Sequence, residues 1–170
     1  MALSRFECPA PLAARGFSLH AEAAADTDFL RRLFVWQRWG EMAPLPWDDA
    51  QKVALLESQF SLQQRQYASQ YPGVQFLVLA EAGGPVGRLY LAELDREIRI
   101  VDVLFHPERR GQGIGAALLA GVQDRAAERG LGVSLHVDKT NPALRLYRRL
   151  GFLITADTGI SWCMEWRAAL

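Results

Sequence analysis

Arg109-Arg110-Gly111-Gln112-Gly113-Ile114-Gly115-Ala116-Ala117-Leu118-Leu119 is the stretch on which the reading of this chain turns. It follows the apolar run Ile98-Arg99-Ile100-Val101-Asp102-Val103-Leu104-Phe105 and leads into a helical pattern. A strand, a glycine-rich turn and a helix start in that order form a phosphate-binding arrangement. Glycines allow the backbone to approach a ligand without a Cβ in the way. The first N–H groups of the helix have no partner within it and carry partial positive charge. Arg109 and Arg110 add formal charge.

The same turn satisfies a dinucleotide-binding pattern, Gly111-x-Gly113-x-x-Ala116, and equally a plain tight turn with close helix packing. Two features oppose the dinucleotide reading. The turn follows a strand hairpin rather than a strand–helix–strand unit, and the acidic residue expected about 20 positions on comes late, at Asp138. A second signal follows. Asn141-Pro142-Ala143-Leu144-Arg145-Leu146-Tyr147-Arg148-Arg149-Leu150-Gly151-Phe152 reads as a short helix with Asn141 as N-cap, Pro142 in its first turn and Gly151 just past its end.

On these residues the chain resembles the GCN5-related N-acetyltransferase superfamily. Arg110-x-x-Gly113-x-Gly115 after an apolar strand is similar to its acetyl-coenzyme A signature, and Asn141-Pro142-Ala143-x-x-x-Tyr147-x-x-Leu150-Gly151-Phe152 to its second signature. The resemblance runs from about Val74 to Phe152. It implies a single domain over residues 1–170 with the acyl-CoA N-acyltransferase fold. That fold is α/β (α+β mixed), a mixed, mostly antiparallel central sheet with helices on both faces.

Composition agrees with one soluble domain. The chain has 170 residues, 50% of them hydrophobic, enough for a core. Lys+Arg and Asp+Glu stand at 19 each, so no basic excess points to nucleic acid. Cys8 and Cys163 lie in no metal or redox spacing, which favours reduced thiols and a cytoplasmic location. Met1 to Arg15 lacks a continuous apolar stretch of the leader type, and no run is long enough to span a membrane.

Periodicity and punctuation place the elements. Gly16 to His20 is a strand, and Asp26 is expected to cap a helix to about Trp36. Trp39 to Trp47, with Pro44 and Pro46, is a loop, and Asp48 or Asp49 caps a helix from Ala50 to about Ser69. Val74–Ala80 and Val86–Leu94 form a hairpin about Gly83-Gly84. Ile98–Phe105 is a central strand, Gly113 to about Arg129 a helix, Val133–Asp138 a strand, and Ile160–Trp166 a final strand. The expected order is β-α-α-β-β-β-α-β-α-β-β.

The resemblance implies a site residue by residue. Backbone N–H groups from about Gly111 to Ala116 (Gly111, Gln112, Gly113, Ile114, Gly115, Ala116) would hold the pyrophosphate of acetyl-CoA, with Arg109 and Arg110 adding charge. Val103, Leu104 and Phe105 would splay from the next strand and bond the pantetheine arm, one N–H serving as the oxyanion donor. Asn141 matches the position that bonds the same arm, although helix capping alone explains it. Tyr147 matches the tyrosine that protonates the leaving thiolate, and packing on the sheet is its plainer reading. Asp102, a carboxylate in an apolar strand, is the candidate base or ammonium-recognising group. Its alternative is a structural ion pair with an arginine such as Arg88. Glu93, Glu97 and His136 are further candidates for the base, and no metal is expected.

Acceptor choice is implied to lie between the first two helices, in Trp36-Gln37-Arg38-Trp39-Gly40-Glu41-Met42-Ala43-Pro44-Leu45-Pro46-Trp47. Trp36, Trp39 and Glu41, with Asp102 and His136, are the candidate acceptor-binding residues; anchoring of the loop on the core is the other reading of its tryptophans. The expected acceptor is a small primary amine, with no nucleic acid and no membrane as partner, and a homodimer remains open. A protein N-terminal or lysine acetyltransferase and a non-catalytic coenzyme A-binding module are the alternatives.

Overall fold

The computed structural model describes residues 4–169. Seven strands form one sheet: β1 (Ser18–Ala21), β2 (Gln75–Glu81), β3 (Gly84–Glu93), β4 (Glu97–Phe105), β5 (Gly132–Asp138), β6 (Leu153–Asp157) and β7 (Ser161–Trp166). Their spatial order is β1-β2-β3-β4-β5-β7-β6. Only β4 and β5 run parallel; every other neighbouring pair is antiparallel. The parallel pair is the one joined through a helix, α4 (Ile114–Glu128), as a crossover connection requires.

Helices cover both faces. On one, α1 (Ala10–Ala13), α4 and α5 (Leu144–Arg149) pack over Leu77, Leu79, Leu89, Leu91, Ile98, Ile100 and Leu135. On the other, α2 (Thr27–Arg38) and α3 (Asp49–Gln70) bring Phe29, Leu30, Leu33, Phe34, Leu56 and Phe60 against Val78 and Leu104. The expected element order is present, with α1 added; its Leu12 is fully buried. Of the stretch read for a leader, residues 1–3 lie outside the described part. No helix among the described residues is long and apolar enough to cross a membrane.

Three local expectations are corrected. Asp26 does not cap α2. Its carboxylate accepts from the Ala23 N–H at 2.9 Å and pairs with His20 at 3.1 Å, bracing the turn before the helix. Trp39–Met42 is a single 3-10 turn rather than open loop, and the proline-rich run begins after it. Regular helix α5 starts at Leu144, not next to Asn141, whose side-chain oxygen closes the preceding turn on the Ala143 N–H at 2.9 Å. Asp48 does cap α3, in a reciprocal box with Gln51.

One irregularity positions the site. Tyr90 faces Asp102 across β3 and β4, but Leu91 faces Ile100, so Val101 is an extra residue. Side chains alternate faces along a strand, and one inserted residue reverses their phase. Ile98 and Ile100 therefore face α4, whereas Asp102 and Leu104 face α2 and α3, with Arg88 and Tyr90 as same-face neighbours.

Candidate active site

The β4–β5 ladder ends at Ile100 opposite Leu135. Past that point β5 continues to Asp138 with β7 as its partner, while β4 runs on to Phe105 paired only with β3. The two parallel strands thus part like a V, and Val101–Phe105 keep one unpaired backbone edge. Such an edge is a template for an extended chain bearing amides. A cavity of about 580 Å³ occupies the opening, with Val103, Leu104 and Phe105 in its wall.

The glycine turn forms the next wall. Gly111 and Gly113 have φ of +73° and +76°, a left-handed conformation that glycine adopts without steric cost. Gly113 stands at the N-cap of α4, no side chain caps that end, and its first turn holds no acidic residue. The free N–H groups of Ile114, Gly115 and Ala116 border the cavity as a ready anion site. Gly115 has a different reason. A Cβ there would lie 3.3 Å from the Phe105 ring and 3.5 Å from Leu146, so it is small to let β4, α4 and α5 pack together.

Arg109 and Arg110 both line the cavity, with different commitments. Arg109 forms an ion pair with Glu81. Arg110 donates to Gln37 Oε1 at 3.0 Å and to the Phe105 carbonyl at 3.3 Å. Gln112 does not join them; its side chain turns back to the Glu108 carbonyl at 2.8 Å.

Ala143, at the start of α5, and Leu146, Tyr147 and Arg149 within it reach the cavity. Tyr147 is buried and packs edge-on against Phe152, ring centres 5.9 Å apart. Burial, aided by the negative charge of Asp102, pushes its phenol up to about 12, so at neutral pH it carries its proton. Asn141 also lines the cavity, and with its oxygen used in the turn, its NH2 remains for a ligand.

The acceptor-side candidates divide. Glu41 lines the cavity, one carboxylate oxygen held by Arg38 at 2.8 and 3.0 Å. Trp36 and Trp39 do not line it. Trp36 stacks edge-on with His106 at 4.6 Å, and the two indoles are 42% and 37% exposed. Nor do the tryptophans anchor the loop; that is done by Met42, which is buried. His136 lies away from the cavity, its Nδ1 against Arg99 at 2.8 Å; burial and the Arg99 charge lower its pKa. Asp102 is outside the lining too. On the α2/α3 face it pairs instead with the buried Arg88, which also holds Gln63 at 3.0 Å.

Four polar lining residues, Gln37, Asp138, Thr140 and Arg149, lie outside the site expected from the sequence. Gln37 stands one helical turn from Glu41 on the same side of the chain, a spacing that could have found it. Asp138 and Thr140 sit at the far lip of the V, where Asp138 accepts from Ser161 at 2.8 Å. Arg149 belongs to the basic pair Arg148-Arg149, which in the sequence reads equally as phosphate-side charge or as a solvated helix face. Among the described residues no group of His, Cys, Asp and Glu side chains is placed to hold a metal ion.

Residues 36–152 match the model of the Acetyltransferase (GNAT) family. A mycothiol acetyltransferase of Thermobispora bispora is 40% identical over 73 residues, 42% of this chain and 21% of that protein. A streptothricin acetyltransferase of Streptomyces lavendulae is 42% identical over 60 residues, 34% of this chain and 32% of its own length. The chain thus spans less than a third of either relative. Among solved structures, the PaiA N-acetyltransferase of Thermoplasma acidophilum in complex with coenzyme A superposes with a TM-score of 0.67 at 16% identity, covering 89% of this chain and 99% of its own, which shows the shared fold.

Proposed function

This chain belongs to the acetyltransferase (GNAT) family, and from that premise we propose that it transfers the acetyl group of acetyl-CoA to the primary amine of a small molecule, by direct attack in a ternary complex. The carrying observation is the juxtaposition, in one cavity, of the unpaired edge of β4 with a phenol held protonated.

Each wall has a task in this reading. The turn N–H groups and Arg110 grip the pyrophosphate. The free edge of Val103–Phe105 bonds the pantetheine amides and offers an N–H to the thioester oxygen, where charge develops. The acceptor ammonium first gives one proton to solvent; its nitrogen then forms a bond to the acetyl carbon, the carbon–sulfur bond breaks, and the thiolate takes the Tyr147 proton. The second proton that the nitrogen releases as the amide forms goes to solvent, from which Tyr147 is reprotonated. Asp102 acts from behind: its charge disfavours a tyrosinate, which keeps the acid loaded. Glu41, with Asp138 across the opening, is the anionic group that meets the ammonium of the acceptor.

The names of the two acetyltransferase relatives, mycothiol and streptothricin, support a small acceptor. The test is a Tyr147→Phe variant assayed with a panel of small amines, peptides with free N-termini and lysine peptides. A kcat lowered at least tenfold with KM little changed, on small amines, supports the reading. Turnover of peptides alone moves the assignment to a protein acetyltransferase. Coenzyme A binding without turnover of any acceptor leaves a binding module.

A further inference from the structure

Three arginines line the cavity, and they differ in what already holds them. Arg109 is neutralised by Glu81. Arg110 is fixed at the turn by Gln37 and the Phe105 carbonyl. Arg149 alone has no ion-pair or hydrogen-bond partner among the described residues, and it is exposed at the rim.

Its place in α5 gives that free charge a direction. Ala143, Leu146 and Arg149 recur every third residue and form one stripe along the cavity. The stripe begins beside the split in the sheet, two residues after Asn141. Leu146 lies against Gly115, in the first turn of α4. Arg149 comes a further turn on, about 9 Å along the helix from Ala143 at 1.5 Å per residue. A ligand with its thioester arm on β4 and its pyrophosphate on the turn has one anionic group left beyond the turn. We propose that Arg149 binds the 3′-phosphate of the adenosine end, making this chain selective for coenzyme A over carriers that lack that phosphate. A guanidinium suits a phosphate monoester, which it meets with paired N–H donors. Favourable placement of Arg148 and Arg149 at the helix C-terminus does not account for the difference between them, because Arg148 is equally terminal and does not line the cavity.

The inference rests on the reading of the cavity as the acetyl-CoA site, and the test separates the two. Coenzyme A and 3′-dephospho-coenzyme A are titrated calorimetrically into the protein and into Arg149→Gln and Arg148→Gln variants. The unaltered protein is expected to bind coenzyme A about tenfold or more tightly than the dephospho form, the scale of a charge-assisted contact. Arg149→Gln should bring the two Kd values within about twofold by weakening coenzyme A alone, and Arg148→Gln should keep the preference. Equal affinities in the unaltered protein, or an Arg149→Gln loss shared by both ligands, overturn the assignment while leaving the cavity a coenzyme A site. Binding of neither ligand overturns the cavity reading and this one with it.

Discussion

The ring of Phe105 occupies the space a side chain at Gly87 would need: a Cβ there would come within 2.6 Å of Phe105 Cδ1 and 2.7 Å of the Leu104 carbonyl oxygen. On its other side the ring lies 3.3 Å from the place of a Cβ at Gly115. One aromatic side chain is therefore held between β3 and the first turn of α4, and it sets the gap between the free edge of β4 and the glycine turn. Gly87→Ala must displace either the ring or the β4 backbone. Overpacking of this kind costs about 1–3 kcal/mol, and because the displaced groups are cavity walls, coenzyme A affinity should fall with stability. Thermal unfolding and coenzyme A titration check this; wild-type values in both would remove the spacer role. Gly115→Ala meets only side-chain atoms and should be milder.

The turn was legible in the sequence because its requirement is local. Gly111 and Gly113 must take a positive φ, and the apolar pattern on either side marks a strand and a helix. The β4–β5 split was expected only through the family resemblance, since missing ladder bonds leave no trace in residue types. Asp102 shows where local reading stops. Its partner Arg88 could be named as a candidate, but the face it turns to depends on a one-residue bulge that no composition signal marks. The tryptophans failed for another reason. A cluster of aromatics reads the same whether it lines a pocket, anchors a loop or stands exposed, and here Trp36, Trp39 and Trp47 are 37–43% exposed while Met42 makes the anchor.

Arg88 is 2% exposed, and burial opposes its charge, yet Asp102 beside it keeps its pKa above the ordinary value. Removing one partner of such a pair costs more than removing both. Asp102→Ala is expected to destabilise by about 3–5 kcal/mol, because a buried guanidinium loses its counterion. Arg88→Met should cost less, since the remaining carboxylate side chain is 23% exposed. The double variant Arg88→Met/Asp102→Leu should regain much of the loss in urea unfolding. Additive losses in the double-mutant cycle would show that the pair is not coupled.

His136 and Trp39 lie outside the cavity wall. His136→Ala and Trp39→Ala are expected to leave kcat/KM within about twofold, the range of surface changes away from a site. Glu41→Gln, in the wall, should raise KM for the amine while leaving coenzyme A affinity unchanged. A tenfold loss of kcat/KM on His136→Ala would restore it as an acceptor-side group and move the acceptor to the outer face of β5.

Alkaline pH should unfold the protein through its buried tyrosines. Burial first, then the Asp102 charge, pushes Tyr67 and Tyr147 up to about 12, and burial raises Tyr90 further. An unfolded tyrosine titrates near 10. Between about pH 10 and 12 the folded state therefore keeps protons that the unfolded chain releases. The stabilisation is complete below pH 10 and is lost as pH rises through the folded values. Each fully buried tyrosine contributes a slope of about 1.4 kcal/mol per pH unit in that window, and Tyr67, closer to solvent, contributes less. Urea unfolding at pH 8, 10 and 11 measures the slope, and Tyr147→Phe should reduce it by about one proton. The same shift bears on catalysis. A phenol that holds its proton to about pH 12 gives no loss of kcat below pH 10, so a decline near pH 8–9 that Tyr147→Phe abolishes would show Tyr147 titrating far lower than its burial implies.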